Sequence, residues 1–185
     1  MSFASLLIPI IALVQSVKEK SEKGENYWSK LLISLIFIAL GVVLLVTDEV
    51  NVGMPISLSL FMTVCIQDLF FERFNSLFVY LAWVIYFLFN FEFHLLMFLT
   101  VIFLTYWLLT FMVEISSGEP HLIVTSLMMI PVKSWLVFML LASLLAFGSL
   151  LYKSIKKGAI KDTSVPFGPA LLLSIYILFF WPHFQ

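Results

Sequence analysis

Cysteine occurs once in the 185 residues, at Cys65, so an internal disulfide and a metal site built on several thiolates are both excluded. Charged residues are scarce at 11% of the chain, ten basic against eleven acidic, for a net charge of -1. They form no basic patch interleaved with aromatic residues, so a nucleic-acid partner has no support. The first apolar run, 3–14, has no basic residue before it and no obvious cleavage site, so it reads as a retained first helix rather than a signal peptide. Internal repeats and low-complexity tails are missing as well. What remains is apolar: 62% of the chain is hydrophobic, with twenty Phe among those residues. A water-soluble domain of this size has too little interior to hide that surface. Composition therefore predicts a polytopic membrane protein whose main partner is the lipid bilayer.

Helices are the expected spanning element, because lipid offers no hydrogen-bond partner to free backbone groups. Polar punctuation divides the chain into about eight candidate spans, at roughly 3–17, 31–47, 51–67, 75–90, 94–113, 120–132, 134–152 and 169–183. Several fall short of the ~20 residues that a full crossing takes. The fold class expected is thus all-α, a transmembrane helix bundle. With eight crossings, Lys18, Lys20, Lys23, Lys30, Arg73, Lys153, Lys156, Lys157 and Lys161 fall on one side, and only Lys133 falls opposite. The excess of positive charge makes that side the cytoplasmic one.

Two acids sit at this face. Asp68 ends the third span in "CIQDLFFERFNSLF", and Glu119 opens the sixth in "SSGEPHLI". Spans four and five run out and back between them, so both carboxylates return to the same edge. Acids at a membrane edge are costly and mark functional sites by default. Two carboxylates facing one another can share a proton, one acting as base toward a water and the other as acid toward a peptide carbonyl. The plainer possibility is a solvated helix cap: Glu119, followed by Pro120, suits a helix N-terminus, and Arg73 stands close enough in sequence to pair with Asp68. Asp48 is a rival acid in "TDEVNVGMP", but an odd number of spans separates it from Glu119 and places it on the other face. The small residues Ser116, Ser117 and Gly118 allow another backbone to approach closely.

At these residues the chain resembles the type IV prepilin peptidases, membrane aspartyl peptidases with a Gly-x-Gly-Asp motif. Their first aspartate lies in a pattern like Asp-Leu-x-x-x-Arg-Ile-Pro-Asn, and "DLFFERFNSL" supplies Asp68, Leu69, Arg73, Phe74 and Asn75. Gly118 stands at the last glycine of the second motif, and Glu119 stands where the second aspartate belongs. The family's Pro-Phe-Gly-Pro motif, after a basic loop, is matched by Pro166, Phe167, Gly168 and Pro169. The resemblance implies a six-helix peptidase-like core over 51–185, with 1–50 adding two N-terminal helices and a basic cytoplasmic loop. It implies catalytic roles for Asp68 and Glu119, and substrate contacts at Gly118 and at Pro166 to Pro169. It further implies an endopeptidase of the bacterial plasma membrane, cleaving the leader of prepilin-like membrane proteins at the cytoplasmic face without metal or organic cofactor. The glutamate at 119, one methylene longer than aspartate, leaves a second expectation open: a catalytically degenerate relative acting as a membrane binding or assembly subunit. A methyltransferase activity has no support, because no cytosolic domain accompanies the helices.

His94, His121 and His183 are scattered over separate elements, and no metal site follows from them. His121 follows Glu119 by two residues and could tune it, against the plainer reading of a solvated interfacial histidine. Trp83, Trp107 and Trp135 read as lipid-facing or packing residues, and Ser143 to Gly148 as small residues for close helix packing.

Overall fold

An apolar chain punctuated by short polar turns can satisfy its backbone locally, and helices result. A computed structural model of the chain describes residues 3–47, 53–90, 92–113, 119–157 and 165–180. Among the described residues there are eight α-helices and no strand, so the fold is all-α. They are α1 (Leu7–Glu22), α2 (Trp28–Thr47), α3 (Gly53–Phe71), α4 (Ser76–Phe89), α5 (Phe93–Val113), α6 (Glu119–Met128), α7 (Trp135–Lys157) and α8 (Gly168–Phe180). Short 3-10 turns, Phe3–Leu6 and Val132–Ser134, lead into α1 and α7. Asp48, Ser116, Ser117, Gly118, Lys161 and His183 lie outside the described residues.

Local chemistry places the helix ends. The first helix, expected to stop at 17, runs on to Glu22, because Lys18–Glu22 and Glu19–Lys23 form i,i+4 ion pairs beyond the apolar run. Gly24 follows at φ +66. The third helix also runs past its expected end at 67, so Asp68 lies within its last turn rather than at its terminus. It stops where Glu72 takes φ +55, the left-handed conformation usual for a residue just past a helix, and returns its amide to the Asp68 carbonyl at 2.8 Å. Asn75 caps α4: its Oδ1 accepts from the Leu77 amide at 3.0 Å, while its own amide donates to Gln67 Oε1.

The core forms around α3, which packs against α1, α2, α4 and α8. Leu58, Phe61, Met62, Val64, Cys65 and Ile66 expose no surface. Leu13 of α1, with Phe37 and Leu44 of α2, belongs to the same apolar cluster, so residues 1–50 and 51–185 share one core. Helix α2 approaches closely at Gly41, where a Cβ would stand 2.9 Å from Met62 Sδ and 3.1 Å from the hydroxyl of Tyr176. That hydroxyl donates to the Phe37 carbonyl at 2.8 Å.

Two stretches are long and apolar enough to cross a membrane, Met54–Phe71 and Val132–Ile155. The first is 72% buried and the second 22%, which makes α3 the interior helix and α7 an outer wall. Leu136, Leu140, Leu144, Phe147, Leu151 and Ile155 of α7 face outward. Gly148 lies on that side, where a Cβ would meet no described atom within 4 Å, and Ser143 is exposed. These small residues therefore do not serve packing within the chain as expected. Gly148→Ala should raise stability, by about 0.5–1 kcal/mol, since it restricts the unfolded backbone without a clash. Equilibrium unfolding in mixed micelles measures this.

Contacts between helix ends gather the charges. Lys30 Nζ donates to the Phe70 carbonyl at 3.1 Å, Lys20 lies over the Phe71 ring, and Lys153 pairs with Glu72 at 3.3 Å. The α1–α2 and α3–α4 turns, the last turns of α7 and the start of α8 therefore share one end of the bundle. At the other end Trp135 stacks on Phe98, with ring centroids 5.4 Å apart.

Candidate functional site

The last turn of α3 carries Asp68 on its inward side, where the residue is only 7% exposed. The first turn of a helix leaves amides without partners inside the helix. Gly168, opening α8, donates one of these to Asp68 Oδ2 at 2.8 Å. Cys65, one turn earlier on α3, donates its thiol to the Gly168 carbonyl at 3.3 Å. The fit is tight at 168: a Cβ there would meet Asp68 Oδ2 at 3.0 Å and the Cα and Sγ of Cys65 at 3.3 Å, so a side chain requires these neighbours to give way. Pro169 takes an early position in α8, where the missing amide hydrogen costs nothing. The Pro-Phe-Gly-Pro segment thus holds Asp68 through a backbone amide.

Glu119 is the first residue of α6, followed by Pro120, and its charge complements the helix dipole. It lines a cavity of about 500 Å³ at the charged end of the bundle, together with Asp68, Glu72, Arg73, Tyr80, Trp107, His121, Pro166 and Phe167. Partial burial raises the Glu119 carboxyl above the ordinary carboxylate range, and the Asp68 charge adds to the rise. The Asp68 charge thus reaches Glu119 across the cavity. Of the expected site residues, Asp68, Glu119, Pro166 and Phe167 meet at this cavity, and Gly168 and Pro169 stand behind Asp68. Gly118 is outside the described residues.

Arg73 lines the cavity too, but among the described residues Asp68 forms no ion pair with it. Asp68 turns inward to α8, whereas Arg73 follows the left-handed residue Glu72 and also borders a polar recess with Gln15, Ser16 and Glu19 of α1. The expected surface pair is replaced by the amide contact.

His121 is half-buried at the cavity and is held there by its neighbours. Its Nε2 lies 2.9 Å from the Tyr80 hydroxyl, and its ring lies nearly parallel to Trp83, 17° apart with centroids 6.1 Å away. Phe103 meets it edge-on at 4.9 Å. Trp83 Nε1 donates to Thr125 Oγ1 at 2.7 Å, and that hydroxyl donates to the His121 carbonyl at 2.6 Å. Trp83 therefore takes the packing role of the two expected of it. Tyr80, Phe103 and Glu72 were not singled out by sequence reasoning, and Trp83 was not placed at the site. The one available signal was spacing: Tyr80 and Trp83 stand three apart on α4 and so share a face, two aromatic rings with polar tips.

Two interacting carboxylates beside a space large enough for a peptide segment and a water can carry out general acid–base chemistry on a carbonyl. Among the described residues, no group of three or more His, Cys, Asp or Glu is arranged to hold a metal ion. No family model, no curated protein and no solved structure matches the chain.

Proposed function

We propose that the protein is a polytopic aspartyl-type membrane endopeptidase, similar to the short prepilin peptidases, that cleaves the leader of a prepilin-like substrate at the cytoplasmic face of a bacterial plasma membrane. The observation that carries this reading is the meeting of three distant segments, Asp68, Glu119 and Pro166–Gly168, around one cavity. A membrane setting is supported by the outward-facing apolar side chains of α2, α4, α5 and α7, such as Leu32, Val84, Leu104 and Leu144. Exposed apolar surface on that scale is foreign to a monomer in water. Helix α6, ten residues long and buried along most of its length, lies inside the bundle rather than against lipid. Asp68, Glu119 and Glu72, the last paired with Lys153, line the cavity with the guanidinium of Arg73, an acidic lining that suits a basic leader segment.

In the mechanism, the ionised member of the acid pair takes a proton from a water as its oxygen attacks the scissile carbonyl carbon. The protonated member gives its proton to the carbonyl oxygen, and a neutral gem-diol forms. The newly protonated acid then passes its proton to the leaving nitrogen as the C–N bond breaks, and the other acid recovers a proton from the collapsing diol. This scheme calls for no metal or organic cofactor.

A second reading, a non-catalytic relative that binds or assembles with a membrane partner, is favoured by one feature. Asp68 is nearly enclosed, and one of its oxygens already caps α8. Incubation of the purified protein in lipid with co-encoded prepilin-like substrates separates the two. Leader cleavage is expected; retention of every substrate uncleaved on the protein would establish the binding reading instead. The sidedness has its own test. Cysteines introduced at 71 and 117, in a Cys65→Ser background, should both react with an impermeant maleimide from the cytoplasmic side, and labelling from opposite sides would defeat the paired-acid site.

A further inference from the structure

The cavity contains a titratable ring that the two-acid scheme leaves unused. His121 lines the cavity with Glu119 and Asp68. The Tyr80 hydroxyl fixes Nε2, the rings of Trp83, Tyr80 and Phe103 fix the plane, and Thr125 ties the backbone beneath it. An imidazole kept in one orientation by three rings and a hydroxyl is arranged to change charge without moving.

We propose that His121 is a positioning residue of this site: anchored by Tyr80, it takes up a proton beside the two carboxylates and so keeps one of them ionised as the base. The catalytic part of this inference rests on the peptidase reading; the electrostatic coupling does not. Charged and titratable groups reach His121 from every side of the cavity. Helix α3 brings Asp68 and Glu72, the α3–α4 turn brings Arg73, α4 brings Tyr80, and α6 brings Glu119. Helix α5 contributes aromatic rings there, and the segment before α8 contributes Phe167. Lys153 is already engaged with Glu72. With Glu72 paired to Lys153, the charge that Asp68 and Glu119 hold between them favours the imidazolium, and the face of Trp83 favours it further. In that form both ring nitrogens donate, so Tyr80 accepts from Nε2–H. A positive ring beside the acid pair lowers the cost of a negative charge on the pair. The pair then holds one proton and one charge over a wider range of pH than two acids alone.

The coupling is read by NMR on protein carrying ring-labelled histidine in mixed micelles, with the His121 signal assigned by its loss in His121→Gln. The midpoint of the His121 titration should fall by about one pH unit in the double variant Asp68→Asn/Glu119→Gln, which removes the charge that the pair holds; either single variant leaves one ionised carboxylate. An unchanged midpoint in the double variant, with helix content intact by circular dichroism, would overturn the proposal. The positioning role is read in the cleavage assay. His121→Gln preserves a hydrogen-bonding group for Tyr80 but cannot charge. It should lower kcat by about tenfold to a hundredfold at unchanged KM and narrow the pH profile. Tyr80→Phe should displace that limb without abolishing it. Wild-type rate and pH profile in His121→Gln would overturn the positioning role. If the wild-type protein cleaves nothing, the peptidase reading fails, while the NMR titration still decides the coupling.

Discussion

Asp68→Asn and Glu119→Gln should each lower leader cleavage by about 10²–10⁴-fold, the range that a positioned general acid or base contributes. Expression and membrane insertion should be unchanged. The reason lies in what each amide retains. In Asp68→Asn the side-chain carbonyl oxygen can still accept the Gly168 amide, now held at 2.8 Å by Asp68 Oδ2, so the junction between α3 and α8 survives. A glutamine at 119 keeps the length and polarity of the side chain at the mouth of α6. What disappears in both is the ability to share a proton. Normal cleavage by either variant would remove the acid–base scheme. Glu119→Asp is the finer probe. If the site is shaped around the longer acid, the shorter one should lose up to roughly 100-fold through misplacement by ~1 Å. If the site merely tolerates glutamate, activity should hold or rise. No effect on an already inactive protein would mark a degenerate relative.

Gly168→Ala should be the most damaging change outside the acid pair. The added methyl meets Asp68 Oδ2 at 3.0 Å and, at 3.3 Å, the backbone Cα of Cys65 on the central helix. The backbone neighbour cannot rotate aside, so either α8 shifts or Asp68 leaves its amide. Overpacking of this kind costs about 1–3 kcal/mol. Cleavage should fall further than stability, because Asp68 itself is displaced. Gly41→Ala is the comparison: it also creates short contacts, at 2.9 Å with the flexible thioether of Met62 and at 3.1 Å with the Tyr176 hydroxyl, but both are side-chain ends rather than backbone, and it should cost less. Unfolding curves for the two variants give the comparison. Equal, small losses would show that the contact of Gly168 with Cys65 and Asp68 is not tight.

Much of this protein is written locally in its sequence. Apolar runs between polar turns determine the helices, since a backbone without water must bond to itself. The clustering of lysines between alternate runs predicts which turns share an end, and the contacts of Lys20, Lys30 and Lys153 with the end of α3 agree with that arrangement. Asn75 and Pro169 carry their capping roles in their own chemistry, and Gly24 marks a chain reversal by its freedom at positive φ. Asp68 and Glu119 stand out simply because acids are rare in such a chain.

Tertiary structure decided everything that depends on which faces meet. Helices α3 and α7 are both long and apolar, yet one is the buried axis and the other an outer wall, because burial follows from neighbours and not from hydrophobicity alone. Asp68 takes the amide of Gly168, a hundred positions away, in preference to the nearby Arg73, because the helical turn aims it at α8. His121, by composition an interfacial residue, is fixed at the cavity because α4 and α5 present Tyr80, Trp83 and Phe103 at its level. Periodicity and polarity are local properties that a sequence displays directly; the register in which distant helices pack is set by shape and small residues such as Gly41 and Gly168, which becomes visible only once the chain is folded.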